Sequence, residues 1–296
     1  MGDKIAIQGY KGSFHDIALN KLYGKKPKEV VYCKTIINVF EALENDLADY
    51  ALAAIGNNHY GDVNHVNDIL INNRILSSKP YFIIGEVYIN ISHCLLAIKG
   101  TKISDIKTIY SQAPAIIQCF NFLHSRLNNV IVVEQDDTSL SAKLVSEIKN
   151  KTVAAIASKE AAKIFDLDVL AEDIQDDIND IYRFVLIGLN KPISYKKASR
   201  TSLLLSTHHK IGELAKALDL LAVNHINLSY LQSIPIANRP FEYRFHIIID
   251  AGAEDKRVIK VMQEINRLGY QLDILGSYKK ASLPKLANTH KRLKVW

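Results

Sequence analysis

Residues 173–188 read DIQDDINDIYRFVLIG. A polar run ends in Ile181-Tyr182-Arg183-Phe184 and passes into an apolar run that closes at Ile187. That junction sets Tyr182 and Arg183 at the entrance of a buried strand, where a rigid sheet holds a loop in place. A guanidinium there can grip a carboxylate through two parallel hydrogen bonds. Small polar residues also recur where an apolar run gives way to a helical pattern. They are Ser13 after Gly9-Tyr10-Lys11-Gly12, Asn57 and Asn58 after the run from Tyr50, Ser111 and Gln112 before Ala113-Pro114, and Thr138 after Asp137. Helix-start amides flanked by such side chains bind anions. The chemistry these residues suit is the capture of a small carboxylate without a metal. His59 and His65 stand six apart and suit no metal pair, and His93 lies among apolar residues, as a hydrogen-bonded core histidine does.

The elements that must position these groups alternate strand and helix up to about residue 190. That order implies parallel sheets with functional loops at strand ends. The repeats fall into two groups, so the expected fold is α/β, with a two-lobed, periplasmic-binding-protein-like domain over 1–190 and a cleft between its lobes. Lobe one takes about 1–80 and 167–190, and lobe two about 81–166. Residues 190–200, NKPISYKKASR, read as a linker. Residues 198–278 then follow a βαββαβ order, a ferredoxin-like unit. Such a sheet has one open face and exposed edges, which favour a homodimer or tetramer through this unit.

The totals exclude other classes. Apolar residues make up 48% and charged residues 23%, ordinary for a globular protein. No apolar run approaches a membrane span, and the first residues, MGDKIAIQGYKG, form no secretion signal. The net charge of +6 comes from the tail 279–296, which holds six Lys or Arg and no acid. The remaining body is neutral and carries no basic stripe with aromatics, so neither nucleic acid nor membrane is an expected partner. Cys33, Cys94 and Cys119 are too scattered for a disulfide framework and read as buried thiols, which fits a cytoplasmic protein.

Several ordered motifs carry a resemblance. Gly9-Tyr10-Lys11-Gly12-Ser13-Phe14, Ser111-Gln112-Ala113-Pro114-Ala115-Ile116-Ile117-Gln118-Cys119, Asp137-Thr138 and Asn179-Asp180-Ile181-Tyr182-Arg183-Phe184 together resemble the prephenate dehydratase family. The likeness covers residues 4–278, and 198–278 resembles that family's ACT domain. It implies conversion of prephenate to phenylpyruvate for phenylalanine biosynthesis, a carbon–oxygen lyase reaction with no cofactor and no metal. It implies catalytic roles at Tyr182, Arg183 and Phe184, and substrate binding by Asn57, Asn58, Ser111, Gln112, Thr138 and Ser13. It implies an L-phenylalanine effector site at Gly212, Glu213, Leu214, Gln232 and Ser233. The departures are specific. The family's threonine is Tyr182, its glutamate is Gly56, a small residue is Leu140, and its effector Glu and Arg are Gln232 and Ile234. A phenol is acidic enough to donate a proton, but its oxygen lies farther out along the side chain. Glu213 is expected to set an uncompensated carboxylate against an effector. Two alternatives stay open: a non-catalytic regulatory protein that binds prephenate or an amino acid, and a prephenate decarboxylase-type lyase.

Overall fold

The computed structural model describes residues 4–24, 29–59, 61–63, 65–77, 79–189, 194–236, 238–286 and 294–295. The first four residues of the expected linker, and 287–293 and 296 of the basic tail, lie outside them. The chain divides into two compact units, one of Met1–Asn64, Val87–Phe184 and Ser282–Trp296, the other of His65–Glu86 and Val185–Ala281.

The first unit is two-lobed and α/β, as expected. Its opening half runs β1 (Lys4–Gln8), α1 (Phe14–Tyr23), β2 (Glu29–Cys33), α2 (Ile36–Glu44), β3 (Tyr50–Asn57) and β4 (Gly61–Asp62). Strands β2, β1 and β3 are parallel neighbours, and β4 folds back on β3. Ser13 caps α1 and Thr35 caps α2, each accepting from an amide in the first helical turn. Between α3 (Val66–Leu76) and the second lobe lies β5 (Phe82–Asn90). The second lobe contains β6 (Cys94–Ala97), β7 (Thr108–Ser111), α4 (Ala113–Gln118), α5 (Phe120–Arg126), β8 (Ile131–Glu134), α6 (Thr138–Ile148), β9 (Val153–Ala157), α7 (Lys159–Ile164) and β10 (Asp168–Glu172). Its sheet order is β10-β6-β9-β7-β8. The central strand, Val-Ala-Ala-Ile-Ala, is buried along its whole length, which explains an apolar run without alternation. The return strand is β11 (Ile181–Gly188).

Two expected boundaries move. The spacing places residues 168–172 in lobe one, yet β10 pairs antiparallel with β6 in the second sheet. The spacing places residues 82–90 in lobe two, yet β5 lies in the first sheet, beside β11. Pairing with a neighbouring edge is non-local, so spacing along the chain does not reveal it.

In the second unit, β12 (Arg200–Ser206), α8 (Glu213–Val223), β13 (Leu228–Ile236), β14 (Arg239–Ile249), α9 (Lys256–Arg267) and β15 (Gln271–Tyr278) give the βαββαβ order. The sheet runs β13-β14-β12-β15. Leu203, Leu205, Ile247 and Ile249 pack under Leu221 of α8 and Val258, Val261 and Ile265 of α9. The opposite face is not open. Leu204 and Leu275 pack against Ile71 of α3, a helix the sequence reading placed in the first domain. Strand β5 joins this unit at its start, where a Cβ on Gly276 would lie 2.1 Å from the Ile83 carbonyl oxygen. The buried Arg200 guanidinium meets Glu86 at 2.8 Å and Asp250 at 3.1 Å. The tail begins pinned, with Lys280 Nζ 2.8 Å from Asp250 and the Ala281 amide donating to Glu86. A last short strand, β16 (Lys294–Val295), pairs with β10.

Candidate active site

A cavity of ≈ 390 Å³ opens in the first unit, of the size that takes a small ligand. Its walls come from the ends of β1, β3 and β11 on one side and from His93, α4 and the start of α6 on the other. The loop from Gly9 to Ser13 forms one rim. Gly9 and Gly12 have φ of 92° and 86°. A Cβ at Gly9 would lie 2.5 Å from Asp137 Oδ2, and one at Gly12 would lie 2.9 Å from Ile164 Cδ1. Only glycine fits both demands. Asp16 accepts from the Gly12 amide and from the Tyr32 hydroxyl, and Ser158 donates to the Gly12 carbonyl at 2.6 Å.

Tyr182 and Phe184 line the cavity. Side chains alternate along a strand, so Arg183 projects from the other face, and it is absent from the lining. No lysine or arginine is among the described lining residues. Ser13, Gln112 and Thr138 do line the cavity. Ser111 does not: it is fully buried, and its hydroxyl donates to the Ile156 carbonyl at 2.7 Å. Asn57 and Asn58 fasten the start of β11 instead. Asn57 Nδ2 donates to Asp180 at 3.1 Å, and Asn58 bonds Asn179 and the Ile181 amide. Gly56 faces the tight β3–β4 turn, where a Cβ would sit 2.8 Å from the Gly61 carbonyl oxygen. A glutamate cannot be restored there without moving that turn.

A connected network stands behind Tyr182. Gln118 Nε2 donates to Asp180 Oδ2 at 2.8 Å and to the Tyr182 oxygen at 2.9 Å, and Gln118 Oε1 lies 2.8 Å from His93 Nε2. The ionised Asp180 carboxylate can only accept, so it fixes which end of the Gln118 amide faces it. The amide oxygen in turn can only accept, so His93 carries its hydrogen on Nε2. His93 Nδ1 is then an acceptor, buried and without a hydrogen-bond partner. The Gln118 amide holds the Tyr182 oxygen in place at the cavity wall. The extra length of tyrosine is thus met by Gln118.

Burial tunes the surrounding groups. It pulls His15 and His93 down to about 4, against the opposing effect of the hydrogen bond His93 makes to Gln118. It pushes Asp137 up to about 6, against the Ser139 and Leu140 amides that hold its carboxylate. It also pushes Asp180 up to about 6, opposed by His59 and Asn57 and aided by Asp177. At neutral pH both histidines are neutral and both acids mostly ionised. The sequence reading missed Gln8, His15 and Gln118, and it took His93 as core alone; His93 is both buried and cavity-lining. The run to Gln118-Cys119 carried a signal, whereas nothing local marks Gln8 or His15.

The effector residues expected in the second unit lie on α8 and β13. Gly212 and Glu213 begin α8, and Gln232 accepts from Tyr230 on β13 at 2.7 Å. Glu213 is not uncompensated: Lys216 Nζ and the Tyr270 hydroxyl each lie 2.6 Å from its carboxylate, and they hold its pKa below the usual range.

Comparison with known proteins adds an independent finding. The family model described as prephenate dehydratase matches residues 5–192. Arogenate dehydratase 2 of Petunia hybrida is 33% identical over 93% of this chain and 71% of its own length. A prephenate dehydratase from Arthrobacter aurescens, solved in complex with L-Phe, is 25% identical with a TM-score of 0.77, over 96% of this chain and 93% of that one. GqqA, described as a quorum quenching acylase, is 25% identical with a TM-score of 0.80, over 94% of this chain and 98% of that one.

Proposed function

Because the chain belongs to the prephenate dehydratase family, we propose that it converts prephenate to phenylpyruvate by decarboxylating dehydration in aromatic amino acid biosynthesis. The observation that carries this reading is the Asp180–Gln118–Tyr182 network facing the cavity. The ring C–COO bond breaks and its electron pair enters the ring. The ring C–OH bond breaks in turn, and the leaving oxygen takes the Tyr182 proton to depart as water. Solvent then reprotonates the phenolate, and aromatisation supplies the driving force. General acid assistance of this kind is worth about 10²–10⁴ in rate. Ser13, Gln112 and Thr138 are proposed to bind the substrate, with the first-turn amides of α4, which has no side-chain cap. Arg183, Asn57, Asn58 and Ser111 are proposed to act through the scaffold. Phe184 packs the cavity floor.

One observation favours a second substrate. Gln8 Oε1 and His93 Nδ1 are buried acceptors without partners, and the Asp137 carboxylate shares their cavity. Arogenate carries an ammonium that donates where the prephenate carbonyl cannot. An acylase reading finds less support. Among the described residues, neither Ser13 nor Thr138 is hydrogen-bonded to a histidine or carboxylate, as an acyl-enzyme nucleophile requires.

The βαββαβ unit is proposed to be an ACT-type regulatory unit that takes L-phenylalanine. The support is its element order and the L-Phe complex of the Arthrobacter relative. A homodimer or tetramer through residues 201–278 is proposed on the exposed edge alone, because α3 packs on the face expected to be open. The edge strand β13 alternates half-buried and exposed residues and, among the described residues, keeps an unpaired side. Among the described residues no helix is long and apolar enough to cross a membrane. The three cysteines are free and buried, which supports a cytoplasmic location. Supplying the purified protein with prephenate and with arogenate, and measuring phenylpyruvate and phenylalanine, tests the reading. Either product supports a dehydratase, and neither product overturns it.

A further inference from the structure

His15 is the second residue of α1, directly after the glycine loop. Its ring meets Phe184 edge-on, with centroids 5.0 Å apart and planes at 90°. Phe184 and Tyr182 share a strand face and line the same cavity as His15. The His15 Nε2 atom is shielded from solvent and has no hydrogen-bond partner. A polar atom left so costs stability unless something occupies the cavity and meets it. Burial keeps the ring neutral at pH 7, with its pKa down to about 4. A neutral imidazole carries one N–H, and it can polarise or hold an oxygen without bearing a charge.

The same cavity has no lysine or arginine among its described lining residues. Among these lining residues a substrate carboxylate meets neutral donors. We propose that His15 is a substrate-binding residue whose Nε2–H donates to a carboxylate of the bound cyclohexadiene acid, beside Tyr182. This rests on the dehydratase reading above and adds a group that none of the sequence motifs singled out. The residue works in binding: the proton delivered to the leaving oxygen still comes from Tyr182.

His15→Phe keeps an aromatic ring against Phe184 and removes the donor. His15→Gln keeps an N–H. Steady-state kinetics with prephenate and arogenate, and calorimetric titration with each, are compared with wild type after circular dichroism confirms folding. Loss of one hydrogen bond to a charged group predicts a KM and Kd raised roughly tenfold or more in His15→Phe. The expected change in kcat is small, with affinity partly restored in His15→Gln. The affinity of wild type should show no break near pH 6.5, where an exposed histidine would titrate. His15→Leu replaces His15→Phe if the latter fails to fold. A folded His15→Phe or His15→Leu with wild-type KM and Kd overturns the proposal while leaving the dehydratase reading intact. A wild type that binds but does not turn over overturns the reading, and the Kd comparison still judges His15. A wild type that neither binds nor turns over overturns both.

Discussion

At the scale of the residue, the site depends on which groups are charged. Asp180 must be ionised to orient Gln118, and through it Tyr182 and His93. Its carboxyl is pushed up to about 6 by burial, so turnover should fall as the pH drops below 6. At about pH 5 only roughly a tenth of such an acid stays ionised, and a roughly tenfold loss of kcat/KM is expected. Stability should behave differently. Asp137 and Asp180 are raised to about 6. Their contribution is fully present below the unfolded carboxylate value of about 3.9 and is lost as pH rises through 6. His15 and His93 are lowered to about 4. Theirs is present above about 6.5 and is lost as pH falls through 4. The two pairs oppose each other between pH 4 and 6, so the unfolding midpoint should move little there while activity drops. Parallel rate and melting measurements from pH 7 to pH 5 check this; a midpoint that falls together with the rate contradicts it. Asp180→Asn should show the loss of rate already at pH 7. The tyrosine in place of threonine was legible in the sequence. The glutamine that receives it was not, because Gln118 and Tyr182 are 64 positions apart.

At the scale of the element, two devices hold the site. The glycine loop fits against α6 and α7 without room for a Cβ, so Gly12→Ala should cost about 1–3 kcal/mol through positive φ and overlap. Gly56→Ala should cost less in stability but shift the β3–β4 turn, and the Gly56→Glu variant should not raise activity. Chemical denaturation and turnover of the three variants test this, and a Gly12→Ala protein as stable as wild type would refute the packing account. In the second unit, Glu86 and Arg200 form a buried pair. Glu86→Gln leaves the buried Arg200 still paired with Asp250, so it should cost about 1–3 kcal/mol. The helices and strands were legible from period and caps: Ser13, Asp137 and Ser158 each cap the helix expected after them. The partners of β5, β10 and α3 were not, since each is joined to distant segments by packing that local pattern does not encode.

At the scale of the whole molecule, the chain combines a family-wide scaffold with an altered site. The motifs revealed the family and the two-lobed α/β plan because glycines, caps and core strands are fixed by backbone geometry. They did not reveal how charge is balanced, as Glu213 shows: its carboxylate is met by Lys216 and Tyr270. L-phenylalanine affinity should accordingly change less than roughly threefold in Glu213→Gln, whereas relief of a repulsion would tighten it by tenfold or more; calorimetry decides between them. Light scattering at micromolar concentration should give a dimer or tetramer, and a charged residue at Leu231 on the edge strand should weaken it, while a monomeric wild type would count against the assembly. The central claim is that Tyr182 delivers the proton that lets the ring hydroxyl leave. Its most direct test compares product formation and substrate affinity in wild type and Tyr182→Phe, which differ by one hydroxyl. The account predicts an active wild type and a Tyr182→Phe protein that binds substrate within a few-fold of wild type but turns it over about 10²–10⁴ times more slowly. A Tyr182→Phe protein as fast as wild type would contradict it.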